Sequence, residues 1–192
     1  MRKTIIVFIA LAIFSTTQEI KAEDNVILPF GIKLGEKLQD KIKIKEIANM
    51  IFSVNPPKPI STFEEYWVAI DDSKKITKVS SFSQTYKNDE YCSESQSKFS
   101  SLENSLIKKY GEPANKFDFL KSGALWKDDR DYRMSLVKNE RHHAIFWEYG
   151  EYAVSIEEQA DIYGCYIVLR YEHKELHKKN ISNKKQKEEE LL

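Results

Sequence analysis

Residues 143–172 read HAIFWEYGEYAVSIEEQADIYGCYIVLRYE, and their spacing decides the fold. Three runs, His143–Tyr149, Tyr152–Glu158 and Tyr163–Glu172, are rich in β-branched and aromatic residues. Gly150 parts the first two, and the polar Gln159–Asp161 parts the last two. Runs of that length between turn-forming residues predict successive antiparallel strands. Strand side chains alternate, so Cys165, Ile167, Leu169 and Tyr171 share one face of the last run. Tyr132–Lys138 and Ala124–Lys127 are two further candidate strands, with Asp128–Asp131 and Asn139–Arg141 as turns.

Upstream, the pattern changes from a two-residue to a helical period. Cys92, Phe99, Leu102, Leu106 and Tyr110 recur at three-, four- and seven-residue steps, predicting a helix over Asp89–Tyr110 with one apolar stripe. Asn88 or Asp89 can cap its start. Gly111 offers a left-handed stop, and Pro113 prevents continuation. Before the helix, Tyr66, Val68 and Ile70 alternate against Trp67 and Ala69, then a polar turn over Asp71–Lys75 leads into Ile76–Tyr86: a hairpin. Asn55-Pro56-Pro57-Lys58-Pro59 ends whatever precedes it, because three prolines fix the backbone and remove donors. Leu38, Ile42, Ile44, Ile47, Met50 and Ile51 mostly fit helical spacing, although Ile42-Lys43-Ile44 also suits a strand. Residues 23–34 read as extended chain with flexible points at Gly31 and Gly35.

The N-terminus carries a different message. Met1-Arg2-Lys3 is a basic start, Ile5–Phe14 is a ten-residue apolar run, and a polar stretch ends at the small Ala22. That three-part layout is expected of a secretory signal peptide over residues 1–22, cut before Glu23. An apolar run of about ten residues is half of what crosses a bilayer, so cleavage is favoured over anchoring and no transmembrane segment is expected afterwards. Periplasmic or secreted location follows. The 170 residues from 23 onward suffice for one domain, expected to end near residue 175. From residue 176 to residue 192 lysine, glutamate, asparagine and glutamine leave little to bury, which predicts a charged, flexible tail.

Export bears on the two cysteines, Cys92 and Cys165. In an oxidising compartment an even pair is expected to bridge. Cys92 lies on the helix stripe and Cys165 on the core face of the last strand, so both sulfurs point toward a common core. The fold class that follows is α+β, with a helix or helices packed on one face of an antiparallel β-sheet and one disulfide.

Charge excludes some functions. Thirty basic residues balance thirty acidic ones, and the leader takes three bases and one acid with it, leaving a net charge near −2. Nucleic acid is therefore not an expected partner. No G-x-S-x-G, H-E-x-x-H or P-loop pattern occurs. His142 and His143 are neighbours and would point to opposite sheet faces, as would Glu157 and Glu158. His173 and His177 stand four apart in the basic tail, and Lys127–Asp131 lacks the glycine and distal glutamate of a calcium loop. No catalytic residue, metal ligand set or cofactor is expected.

The aromatic content, 12%, is more informative. Ile145–Tyr152 packs four aromatics into eight residues, with Trp147 and Tyr149 on one side and Phe146 with Glu148 on the other. One side serves the core. The other, extended by Trp126 and Tyr132, is a candidate protein-binding surface, with acids setting orientation. The five aromatics are the candidate binding residues, Trp147 and Tyr149 foremost.

With Lys109-Tyr110-Gly111-Glu112-Pro113 closing a helix, followed by Trp126 and an antiparallel run, residues 89–172 resemble small exported bacterial domains. Two types are similar: outer-membrane-assembly lipoprotein domains (SmpA/OmlA-like) and beta-lactamase-inhibitor-protein-like modules. The resemblance implies helices on an antiparallel sheet and a role in binding proteins or envelope components. The chain departs from the assembly lipoproteins in lacking a cysteine after the leader, which removes lipid anchoring from what carries over. The expected function is a non-enzymatic, inhibitor or immunity-type module that binds another envelope protein. An envelope hydrolase with a scattered active site and a structural envelope component are the alternatives.

Overall fold

The computed structural model describes residues 27–189, and the leader expected over residues 1–22 lies outside them. The described chain begins with a segment that packs Ile27, Ile32 and Leu34 into the core, then makes a meander of four strands. These are β1 (Lys43–Ala48), β2 (Ile51–Val54), β3 (Phe63–Ile70) and β4 (Ile76–Ser83). A short β5 (Tyr86–Lys87) and helix α1 (Ser93–Tyr110) follow. A second meander consists of β6 (Asn115–Leu120), β7 (Arg141–Tyr149), β8 (Tyr152–Ala160) and β9 (Gly164–His173), with α2 (Tyr132–Val137) ahead of β7. Helix α3 (Lys174–Glu189) closes the described chain.

The last strands of the two meanders pair with each other. β4 runs antiparallel to β9 from Lys78↔Glu172 to Phe82↔Val168, giving one sheet in the order β1-β2-β3-β4-β9-β8-β7-β6. β5 pairs the other end of β9, Tyr86 against Cys165. There the backbones approach so closely that a Cβ on Gly164 would lie 2.1 Å from the Tyr86 carbonyl oxygen, so only glycine fits.

One face of this sheet holds the core. Val68, Val79, Trp147, Val154, Ile156, Ile167 and Leu169 are buried on it, in one cluster with Phe99 and Leu106 of α1. α1 lies across β7, β8 and β9, α2 across β7 and β8, and α3 against β4 and β9. The expected α+β class, with helices on an antiparallel sheet, is the observed one. So is the helix stop: Gly111 has φ 82° and donates its N–H to the Ile107 carbonyl at 2.8 Å. At the other end the Asp89 carboxylate accepts from the Glu94 and Tyr91 N–H groups, both at 3.1 Å.

The expected disulfide is present. Cys92, immediately before α1, bonds Cys165 of β9 with their Cα atoms 5.7 Å apart, and both residues are fully buried.

Several elements differ from the sequence expectation, each for a physical reason. The stretch from Leu38 to Ile51 is not a helix: β1 and β2 form a hairpin turned at Met50 (φ 61°), whose N–H donates to the Glu46 carboxylate. Phe52 and Val54 alternate into the core, and pairing with β3 overrides the helical spacing. Tyr132–Lys138 is not a strand but α2: half-buried Tyr132 reaches Glu158 of β8, and buried Ser135, three residues on, donates its hydroxyl to the Tyr132 carbonyl. Ala124–Lys127 has no strand pairing either; Glu140 instead accepts the N–H groups of Leu125 and Trp126. β6 was not expected, since its Lys116 and Asp118 break any apolar run. Beyond residue 175 the chain is helical to Glu189, and Asn180 is buried, donating to the Ile70 carbonyl at 3.2 Å. That bond carries the folded unit past the expected boundary at residue 175.

Opening the Cys92–Cys165 bridge should cost roughly 4 kcal/mol, the chain-entropy value for a loop closed across 73 residues. Thermal unfolding of the purified protein with and without reductant measures it, and the midpoint should fall by many degrees on reduction.

Candidate functional site

Two groups of residues stand out, one on each face of the sheet. On the face opposite α1, direct cross-strand partners share a side, which brings β6, β7, β8 and β9 residues into one surface. Phe117 faces Ala144 and Phe119 faces His142 across β6 and β7; Ser155 and Glu157 of β8 adjoin, then Arg170 and Glu172 of β9 and Lys78 of β4. Phe117, Phe119 and Phe146 remain 41, 46 and 40% exposed, while Ala144 at the floor is buried. The Phe117 ring contacts both Phe119 and Phe146 edge-on, with centroids 6.2 and 5.8 Å apart. These residues surround a shallow depression of about 480 Å³. Its far wall is ionic: Arg170 pairs with Glu157, and Lys78 with Glu172 at 2.8 Å. Further along the same face, the Trp67 and Phe82 rings meet at a tilt of 48°, with centroids 4.3 Å apart. An apolar cluster beside paired charges can seat an apolar side chain of a partner while orienting its polar neighbours.

On the helix-covered face lies a buried polar cluster. Glu158 of β8 has a fully buried carboxylate. Ser95 of α1 donates to one oxygen. Tyr132 of α2 donates to the other at 2.8 Å, and His143 Nδ1 of β7 meets that same oxygen at 2.7 Å. Phe99 stacks on the His143 ring at 4.0 Å, and the Arg141 guanidinium sits 4.5 Å over the Tyr132 ring. A buried carboxylate must be paired and hydrogen-bonded to be tolerated, and here three elements supply the partners. Burial first, then the charge and hydrogen bond of Glu158, push the Tyr132 phenol well above its ordinary value of about 10. Burial, with Tyr110 alongside, raises Tyr171 in the same direction.

A cleft of about 310 Å³ adjoins the cluster, lined by His143, Arg141 and Tyr166 among others. The cluster holds a histidine, a carboxylate and a serine, but Ser95 does not line the cleft and is not set up as a nucleophile. Its hydroxyl is fully buried, and it is bonded to the carboxylate and the Cys92 carbonyl rather than to the histidine. The geometry is that of a tie between elements.

The structure separates the five aromatics picked from sequence. Phe146 is on the open face. Trp147 is not: it is 1% exposed and donates its indole N–H to the Gly111 carbonyl at 3.0 Å, bracing the end of α1. Tyr149 shares that covered face and packs on Tyr110 at 5.3 Å. The Trp147–Tyr149 surface is therefore core, because α1 needs the larger side chains of β7 beneath it. Tyr132 belongs to the buried cluster, and Trp126 is half-buried in the loop before α2. Phe117 and Phe119 were missed; their alternation with Lys116 and Asp118 was the available signal. His142 and His143 do point to opposite faces, as do Glu157 and Glu158. His173 and His177 approach different carboxylates, Glu151 at 3.8 Å and Glu172 at 3.7 Å. No protein-family model matches this chain, and no match was found among curated proteins or solved structures.

Glu158→Ala should destabilise the protein by about 3 kcal/mol, since it strands buried donors from α1, α2 and β7; urea unfolding reads this directly. Raised tyrosine values have a definite sign in stability: above about pH 10 the unfolded chain releases protons that folded Tyr132 and Tyr171 retain, so stability falls as pH rises. In Tyr132→Phe the decline between about pH 9 and about pH 11 should be shallower, although the variant starts less stable.

Proposed function

We propose that this chain is an exported, disulfide-bonded, non-enzymatic module that binds another protein of the bacterial envelope through its open sheet face, in the manner of an inhibitor or immunity protein. One observation supports the reading above others. Phe117, Phe119 and Phe146 lie exposed and in mutual contact on the face that α1 leaves open, beside the Arg170–Glu157 and Lys78–Glu172 pairs. Large aromatics are costly to leave in water, and a contiguous patch of them rimmed by charge is the composition of a binding surface. Export is supported by the three-part leader, and the buried Cys92–Cys165 bridge suits an oxidising compartment. The sealed Ser95 hydroxyl speaks against a serine nucleophile in the Glu158 cluster.

Phe146 is the residue to change, since it sits within the patch on an inner strand. Immobilised wild-type protein and Phe146→Asp would be exposed to an envelope extract, with Ile44→Asp, at an exposed position on the opposite edge of the sheet, as control. Phe146→Asp should lose at least about tenfold of the captured partner while Ile44→Asp retains it. Equal capture by all three would refute the assignment of the face. N-terminal sequencing of the protein recovered from cells should begin at Glu23.

A further inference from the structure

The sheet has two edges, and they are built differently. At one edge β1 pairs β2 with two register shifts, and Lys43 and Lys45 stand on it; bulges and lysines are how an edge is kept from pairing. At the other, β6 pairs β7 through six consecutive residues without a shift. Asn115, Lys116, Phe117, Asp118 and Phe119 are all exposed, and the strand contains no proline or glycine. A straight, exposed edge bearing two phenylalanines is a template for another strand.

We propose that the occupant is β6 of a second copy, paired antiparallel about Phe117, so that two chains share one continuous sheet. The sequence Asn115-Lys116-Phe117-Asp118-Phe119 selects that register. In an antiparallel pair related by a two-fold axis, residues whose numbers share a fixed sum face each other, and an isologous contact repeats every pair twice. Centring on Phe117 sets Lys116 opposite Asp118 of the other copy and Asp118 opposite its Lys116, with the two Phe117 residues opposed on the other face. Centring on Lys116 would oppose two lysines, and centring on Asp118 two aspartates. Centres between residues would mix the aromatic and charged faces. Of the registers centred on Lys116, Phe117 and Asp118, charge therefore permits the one about Phe117.

The chain already holds both charges in position. Lys116 pairs with Glu103 of α1 at 2.7 Å and Asp118 with Arg141 of β7 at 3.0 Å, yet each side chain remains more than half exposed and open to a second partner. Self-pairing extends these into two rows running Glu103, Lys116, Asp118, Arg141 across the junction, alternating in sign. On the opposite face the phenylalanines of both copies merge into one patch. The area gained by one strand pair is below the about 1,000 Å² of standing interfaces, so the dimer is concentration-dependent.

Sedimentation of the purified, oxidised protein over the micromolar range should show a monomer–dimer equilibrium with no larger species. Asp118→Lys leaves two bases on each strand and Lys116→Glu leaves two acids, so each variant alone should self-associate at least about tenfold more weakly. An equal mixture of the two restores opposite charges at every pair and should form a heterodimer about as tightly as wild type. Recovery on mixing cannot come from a variant that has merely unfolded. A wild-type monomer throughout, growth beyond two copies, unchanged association in both variants, or no heterodimer on mixing would each overturn the proposal. No partner protein is involved in these measurements, so they fail or succeed independently of the binding function.

Discussion

The pairing of β4 with β9 is the contact on which the rest of the molecule depends. It joins residues about ninety positions apart, Val79 to Tyr171 and Ser81 to Leu169, and turns two separate meanders into one sheet. A four-stranded meander alone buries little on either face; two of them side by side supply one floor, with α1 across β7, β8 and β9 and α3 against β4 and β9. Ser81 adds its hydroxyl to the Leu169 carbonyl, and Ser83 accepts the Ile167 N–H, so the seam is held by side chains as well as backbone. The disulfide reinforces the same strand from the other side, tying the start of α1 to β9. Closing so distant a pair is entropically expensive, and the covalent link removes part of that expense from the unfolded chain.

Once the floor exists, the two faces acquire different roles. The covered face takes Trp147, Val154, Ile156 and Leu169, and its buried Glu158 carboxylate fastens α1, α2 and β7 together through Ser95, Tyr132 and His143. Such a carboxylate adds little net stability over an apolar side chain, but it accepts only one arrangement of its donors. The open face has no such duty, and its aromatics lie apart from the core. Residues that would be wasted on folding are available there for recognition.

How much was legible from sequence follows from how local each signal is. The hairpin of β3 and β4, the helix α1 with its Gly111 stop, and strands β7, β8 and β9 were readable because alternation, helical period and turn residues lie within a few positions of one another. The same rules failed where neighbours in space decided. Tyr132, Met134 and Leu136 alternate as a strand would, yet Glu158 draws Tyr132 into a helical turn. Leu38–Ile51 has helical spacing, yet β3 offers an open edge and takes β2 as its partner. The candidate surface split for a related reason: alternation separates Phe146 from Trp147 but does not say which side α1 will cover.

Sequence alone determined the α+β class, the clearest helix and the meeting of Cys92 with Cys165, because each rests on periodicity or on chemistry local to the chain. Tertiary structure alone decided which aromatics face water, that Glu158 gathers three donors, and that β6 stands as a straight, exposed edge. Those outcomes depend on which strand lies beside which, and side-by-side placement is set by burial across the whole sheet rather than by any single run of residues.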